Sequence, residues 1–229
     1  MNKLWTVPVL SLAFTCGQMV ASSSAMAYNF FRAYLSGEEE IVTNPDGSFS
    51  PIPNDSNARG VADLKLNDSR DELSYRFEIF GLDLSFLEQG TQNPDAFPVT
   101  EVDAPDNTVT QLHFHNAPAG ANGPVVFSPA SLLASGFDDL DDLKFENNND
   151  KGSTIVSGIW DVNDPRPLTP GLVDELLSGN LYLNVHTVGI PGGEIRGQIE
   201  KVPEPTATLG LMLAGSIGMI LARRKSLIS

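Results

Sequence analysis

The chain is short of the residues that most often carry chemistry. Its 229 residues include one cysteine and three histidines, and basic residues number 14 against 29 acidic. The lone cysteine, Cys16, lies in a segment with the marks of an export signal. Lys3 gives a positive start, Leu4 to Phe14 is apolar and uncharged, and Ala25-Met26-Ala27 supplies a small-x-small cleavage pattern before Tyr28. Gly17, Gln18 and the run Ser22 to Ser24 interrupt this stretch below the roughly 18–20 residues that a membrane span needs. Residues 1–27 are therefore expected to be removed as a signal peptide. The exported domain would hold no cysteine, which excludes both a disulfide framework and a thiol nucleophile. Its stability must come from a core that a chain of about 170 residues is long enough to build.

The shortage of positive charge excludes a second class. Between Tyr28 and Lys201 there are 28 acidic and 10 basic residues, a net charge of −18. Such a surface repels phosphate backbones and anionic headgroups, so nucleic-acid binding is excluded, while cations and basic partners are tolerated. Hydrolase and nucleotide motifs are missing too. No serine sits in a G-x-S-x-G elbow, and Asn122-Gly123-Pro124 is a turn with no lysine-bearing helix behind it. The expectation is a protein that is not an enzyme.

The far end carries its own signal. Residues 202–225 read VPEPTATLGLMLAGSIGMILARRK: Pro203-Glu204-Pro205, an uncharged stretch from Thr206 to Ala222, then Arg223-Arg224-Lys225. The stretch sits at the short end for a bilayer helix, and the basic cluster fixes its end in the cytoplasm. These three parts in this order resemble the PEP-CTERM sorting signal. The resemblance implies an anchor over 202–229, processing by an exosortase, and a domain facing outward in the cell envelope.

What lies between reads as short strands and turns. Candidate strands are 29–35, 47–51, 60–67, 72–80, 110–116, 123–127, 152–160, 181–187 and 194–200. ELSYRFEIF (72–80) alternates most cleanly, with Leu73, Tyr75, Phe77 and Ile79 on one face. VGIPGG joins the last two strands as a hairpin turn. One helix is expected after Thr169, with Pro170 in its first turn, Leu172, Val173, Leu176 and Leu177 as its apolar stripe and Gly179 as its stop. The prediction is a single all-β domain over 28–201, an immunoglobulin-like or Greek-key β-sandwich with one short helix. Residues 84–109 read as a long excursion. Residues 136–151, GFDDLDDLKFENNNDK, lack the D-x-D-x-D-G spacing of a calcium loop, so Asp138, Asp139, Asp141 and Asp142 are expected in a solvated loop.

All three histidines fall in two of these strands. In LHFHN, His113 and His115 share one face while Leu112 and Phe114 take the other; in LYLNVHT, His186 shares its face with Tyr182 and Asn184. If the strands are neighbours, three imidazoles converge, a donor set suited to copper or zinc. The other reading is that they tie strands to loops, His186 to the PGG turn and His113 to the loop from Asn116 to Asn122. Glu194, Arg196 and Gln198 also share a face, where an Arg–carboxylate pair is expected to lock the hairpin.

Taken together, FRAYLSG (31–37), LHFHNAPAGANGPVVF (112–127) and LYLNVHTVGIPGGEIRGQI (181–199) resemble the CHRD domain, the repeat first described in chordin and found singly in bacterial exported proteins. Two departures stand out: Asn116 and Ala117 occupy the positions where that family has glycine after His-x-His, and the 84–109 link is long. The resemblance implies an immunoglobulin-like sandwich without assigned catalysis, acting as a binding or structural component of the cell surface or matrix with a protein or matrix partner. LHFHN and NVHT are also similar to the copper-ligand strands of Cu/Zn superoxide dismutases, themselves Greek-key sandwiches. A bridging fourth histidine, a zinc loop and a disulfide are all missing here, which argues against dismutase activity. The alternative is a three-histidine copper or zinc site at His113, His115 and His186.

Overall fold

The computed structural model describes residues 29–202 except 52–53, 97–101 and 134–135. The expected signal peptide and the sorting segment from Pro203 onward lie outside these residues. Among the described residues, no helix is long and apolar enough to cross a membrane.

Twelve strands and two α-helices are found among the described residues. In chain order they are β1 (Asn29–Ser36), β2 (Ile41–Thr43), β3 (Phe49–Pro51), β4 (Arg59–Leu66), β5 (Glu72–Phe80), α1 (Ser85–Gln92), β6 (Val109–Asn116), β7 (Val125–Ser131), β8 (Lys144–Asn148), β9 (Ser153–Asp161), α2 (Pro170–Leu177), β10 (Leu181–Thr187), β11 (Ile195–Gln198) and β12 (Glu200–Val202). Ten strands join in one antiparallel sheet of order β7-β6-β10-β11-β1-β4-β5-β9-β8, with β12 also on β1; β2 and β3 form a separate ribbon.

The expected β-sandwich-like domain forms, built from one antiparallel sheet curled on itself in place of two separate sheets. Its ends meet through aromatic side chains on the inner face. Phe127 of β7 stacks on Trp160 of β9 with centroids 4.6 Å apart. Phe114 of β6 lies 5.9 Å from Tyr75 and 5.8 Å from Phe77, both of β5. These strands are distant in sheet order, so only a roll of the sheet brings them together. Strand alternation supplies the core: Leu73, Tyr75, Phe77 and Ile79 are all buried, with Leu112, Phe114, Leu181, Leu183 and Val185 opposite. Each such large side chain contributes about 1.5–3 kcal/mol when fully buried.

The helix after Thr169 forms where expected. The Thr169 hydroxyl accepts from the Leu172 N–H at 3.3 Å, Pro170 occupies the first turn, and Gly179 follows the end at φ 75°. The second helix, α1, lies in the 84–109 excursion and was not expected. Its sequence, SFLEQGTQ, is amphipathic but short and only weakly apolar, and Leu84 at its N-cap supplies no capping side chain; docking holds it, through Leu84, Leu87 and a close approach of Gly90 to Leu132 and Phe137. The 136–151 segment also departs from the solvated loop expected of it. It contains β8, and both Asp138 and Asp139 are buried.

Candidate metal centre

The histidines lie on the outer face of β6 and β10, which pair antiparallel. The register sets His115 opposite Tyr182, His113 opposite Asn184 and His186 opposite Gln111. His186 is thus the diagonal neighbour of His113, within reach for side chains on one face of a sheet. Two register shifts between β6 and β7, beside Phe114, and one after His186 bend the strands around the cluster. Such irregularities re-aim side chains.

The face that carries them is closed off from water: relative exposure is 5% for His113, 9% for His115 and 7% for His186. One ring nitrogen from each lies within 4.8 Å of the others. The pairing of β6 with β10 thus brings the three imidazoles together. The alternative role, tying strands to loops, is present in the same atoms. His186 Nδ1 is 3.0 Å from the Pro191 carbonyl of the PGG turn. It is His115, where His113 was expected, that reaches the loop after β6, with Nδ1 3.0 Å from the Gly123 carbonyl.

Those two contacts fix the tautomers. A carbonyl only accepts, so each Nδ1 carries the proton and each neutral ring keeps its lone pair on Nε2. Neutrality follows from burial. Loss of hydration pulls His113 down to about 2 and His115 down to about 4, and lowers His186; the neighbouring imidazoles lower His113 further. His113 Nδ1 lies 3.2 Å from His186 Nε2 and donates to that lone pair. The Nε2 of His115 is buried without a hydrogen-bond partner among the described residues.

A shell of polar groups holds the rings. His115 stacks on Tyr182 with centroids 4.7 Å apart and planes at 8°. The far side of Tyr182 carries the Arg196 guanidinium, 3.5 Å from the ring centroid. Arg196, only 2% exposed, donates to Ala121 O and Asn122 Oδ1, both at 2.7 Å, and so clamps the loop that positions Gly123. Gly123 N–H in turn donates to the Tyr182 hydroxyl at 3.2 Å. A side chain at Gly123 would run into the backbone of Asn116, so this approach needs glycine.

The expected Arg196–Glu194 lock is absent: Glu194 accepts from the hydroxyls of Ser56 and Thr187 instead. Register explains this. Arg196 lies opposite Asn184 and beside Tyr182, while Glu194 precedes β11 and its N–H donates to Val185 O. Arg196 instead acts electrostatically on the buried Glu40, which desolvation pushes up to about 7 against the pull of the guanidinium. Tyr182 was placed on the histidine face by alternation alone. Glu40 and the Arg196 clamp carry no local sequence signal, because their partners come from distant loops.

The donor set fits a copper or zinc ion. Two Zn–N bonds of about 2.0–2.1 Å at a tetrahedral angle place their nitrogens roughly 3.4 Å apart. The His113 Nδ1–His186 Nε2 separation of 3.2 Å is close to that spacing, and transfer of the His113 proton from Nδ1 to Nε2 would turn the hydrogen bond into two lone pairs facing the ion. Ring nitrogens facing away from the ligand atoms and held by carbonyls are the arrangement that orients metal-binding imidazoles.

No curated protein and no solved structure matches this chain. The profile of the CHRD domain matches residues 31–199, which includes β6, β10, β11 and all three histidines. With that match spanning most of its length, the chain belongs to the CHRD domain family.

Proposed function

We propose that this CHRD domain is an exported, envelope-tethered binding protein whose ligand at the outer sheet face is a copper or zinc ion, held by His113, His115 and His186. The observation that carries the reading is the Nε2 of His115: a buried lone pair without a donor, on a ring whose other nitrogen is fixed by Gly123. A buried acceptor left unsatisfied costs about 1–3 kcal/mol, and a metal ion removes that cost. When bound, the ion would cross-link two strands and the two loops behind them. Exposure of 9% or less at each ligand leaves little room for a substrate, which favours a binding or structural role over turnover.

The location rests on the sequence at both ends, an export signal before Tyr28 and the Pro-Glu-Pro, apolar and Arg-rich tail after Val202. In that setting the domain acts at the cell surface or in the surrounding matrix, with its acidic face turned to a protein or matrix partner. Protease shaving of intact cells tests this part: the domain should be digested from outside, and full protection in a cytosolic fraction would overturn it.

Elemental analysis of the full chain, purified without a histidine tag, tests the ion. Stoichiometric copper or zinc is expected, and it should be lost in His115→Ala and His186→Ala. A metal-free protein whose melting temperature is unmoved by added copper or zinc would sink the proposal.

A further inference from the structure

A second, chemically different group of ligands lies in the turn before β8, where that turn packs against β7, β5 and β9. Asp139 is wholly buried. One of its oxygens, Oδ2, accepts a short hydrogen bond from the Tyr75 hydroxyl; the other, Oδ1, has neither exposed surface nor a hydrogen-bond donor among the described residues. Asp164, 8% exposed, comes from the loop after β9 and is anchored by the Asp161 N–H, which donates to its Oδ2 at 2.6 Å. Asp141 is exposed and opens the cluster to water. One oxygen from each of Asp139, Asp141 and Asp164 lies within 4.8 Å of the others.

Unpaired, this arrangement is unfavourable. Carboxylates at this spacing repel, and the nearby basic side chain, Arg166, is engaged with Asp138 at 3.4 Å. Desolvation, reinforced by Asp142 and Asp164, pushes Asp139 up to about 8, and desolvation with neighbouring aspartates pushes Asp164 up to about 6. Yet the fold builds the approach in. Gly158 of β9 has no side chain, and a Cβ there would collide with both Tyr75 and Asp139. Asp138 accepts from Ser128 N–H at 2.8 Å, and Asp142 from Ile159 N–H at 2.7 Å, so the turn is pinned on both sides of Asp139.

We infer that Asp139, Asp141 and Asp164 form a calcium site. Oxygen donors select a hard cation, and three carboxylates from two loops with water on the open side suit the variable coordination of calcium at 2.3–2.6 Å better than the strict octahedron of magnesium. Water completes the shell on the Asp141 side. The ligands are 25 residues apart along the chain, because the third comes from the neighbouring loop. This is why the loop spacing of 136–151 gave no calcium pattern.

The test uses the untagged full chain, stripped with a chelator and melted with added calcium or magnesium. With calcium about 100-fold above its dissociation constant, the melting temperature should rise by roughly 5–10 °C, and magnesium should do far less. Asp139→Asn and Asp164→Asn should abolish the rise, Asp141→Asn should weaken calcium binding about tenfold, and His115→Ala should leave it intact. Terbium bound at the site should luminesce on excitation of Tyr75, whose hydroxyl touches Asp139, and calcium should quench that signal by displacement. Asp139→Asn keeps an acceptor for Tyr75, so its calcium-free melting point should equal or exceed that of the parent; Asp141→Asn, at an exposed position, guards against loss of fold. No calcium shift in the parent chain, or a shift that survives in Asp139→Asn and Asp164→Asn, would overturn the assignment.

Discussion

The histidine face and the aspartate turn present two ways of preparing a cation site, and they differ in what the protein must tolerate without the ion. The histidines are neutral donors set on adjacent strands, with the Nδ1 atoms of His115 and His186 satisfied by carbonyls and the His115 ring stacked on Tyr182. Such a site can persist without the ion at the cost of one unsatisfied lone pair. The aspartates carry charge into a buried position, with Asp139 held up near 8 as a result. That site is tolerable only with a proton or a cation in it. Strand geometry suits the first because alternation fixes ring direction; loops suit the second because a hard ion accepts many oxygen arrangements.

The sharpest way to break the comparison is to disable each site and read the other. His115→Ala should reduce copper or zinc affinity at least 100-fold and leave the calcium-dependent melting shift unchanged, with Asp139→Asn giving the converse. Calorimetric titration with each ion separates the two outcomes, and coupled losses would show that the sites are not independent.

Arg196→Ala is the next largest. It removes the clamp on Ala121 and Asn122, uncovers Tyr182 and takes away the cation that acts on Glu40. Chemical denaturation should register a loss of about 3 kcal/mol, the scale of two lost hydrogen bonds from a buried charged group. Metal affinity at the histidines should fall roughly 10–100-fold, as for loss of an outer-shell support. Calcium binding should not change.

Gly193→Ala should cost less, about 1–3 kcal/mol in the same assay. Gly193 sits at φ 131°, and a Cβ there would lie 2.6 Å from the Asn184 amide and 2.7 Å from the Glu40 carboxyl. The substitution strains the turn that presents Pro191 to His186 and has no path to the aspartates.

The smallest effect is on pH dependence, and the two sites should act in opposite directions. His115 titrates near 4 when folded against an ordinary 6.5, so between these values the unfolded chain takes up a proton that the folded one refuses. That contribution to stability is full above about 6.5 and is lost as pH falls toward 4. Asp139, held near 8 against an ordinary 3.8, keeps a proton that the unfolded chain has released. Its contribution is full below about 4 and is lost as pH rises toward 8. Asp139→Asn should therefore flatten the decline of the calcium-free protein between pH 5 and 8, which melting curves across a buffer series will show. An unchanged slope would mean that Asp139 is already ionised in the folded chain.

How much of this was legible in the sequence differs by element. β5 and β10 are present over the residues their alternation marked, and α2 carries its signals locally in Thr169, Pro170 and Gly179. By contrast, SFLEQGTQ is short, weakly apolar and without a capping side chain at Leu84, and α1 exists because Leu84, Leu87 and Gly90 find a surface to dock on. The acidic turn misled for a related reason. Composition marks it as solvated, but Asp138 and Asp139 are drawn inside by Ser128 and Tyr75, ten and 64 residues away along the chain.

By itself, the sequence determined the β architecture and the shared face of His113 and His115, because both follow from period-2 alternation within a single strand. It also placed His186 beside Asn184 and Tyr182. Only the tertiary structure decided that β6 lies next to β10, that Gly123 and Pro191 hold the outer nitrogens, and that Asp164 joins Asp139 and Asp141. Those facts depend on register and on loops folding back across the sheet. Pairing energies between segments distant in the chain select them, and no local spacing records that choice.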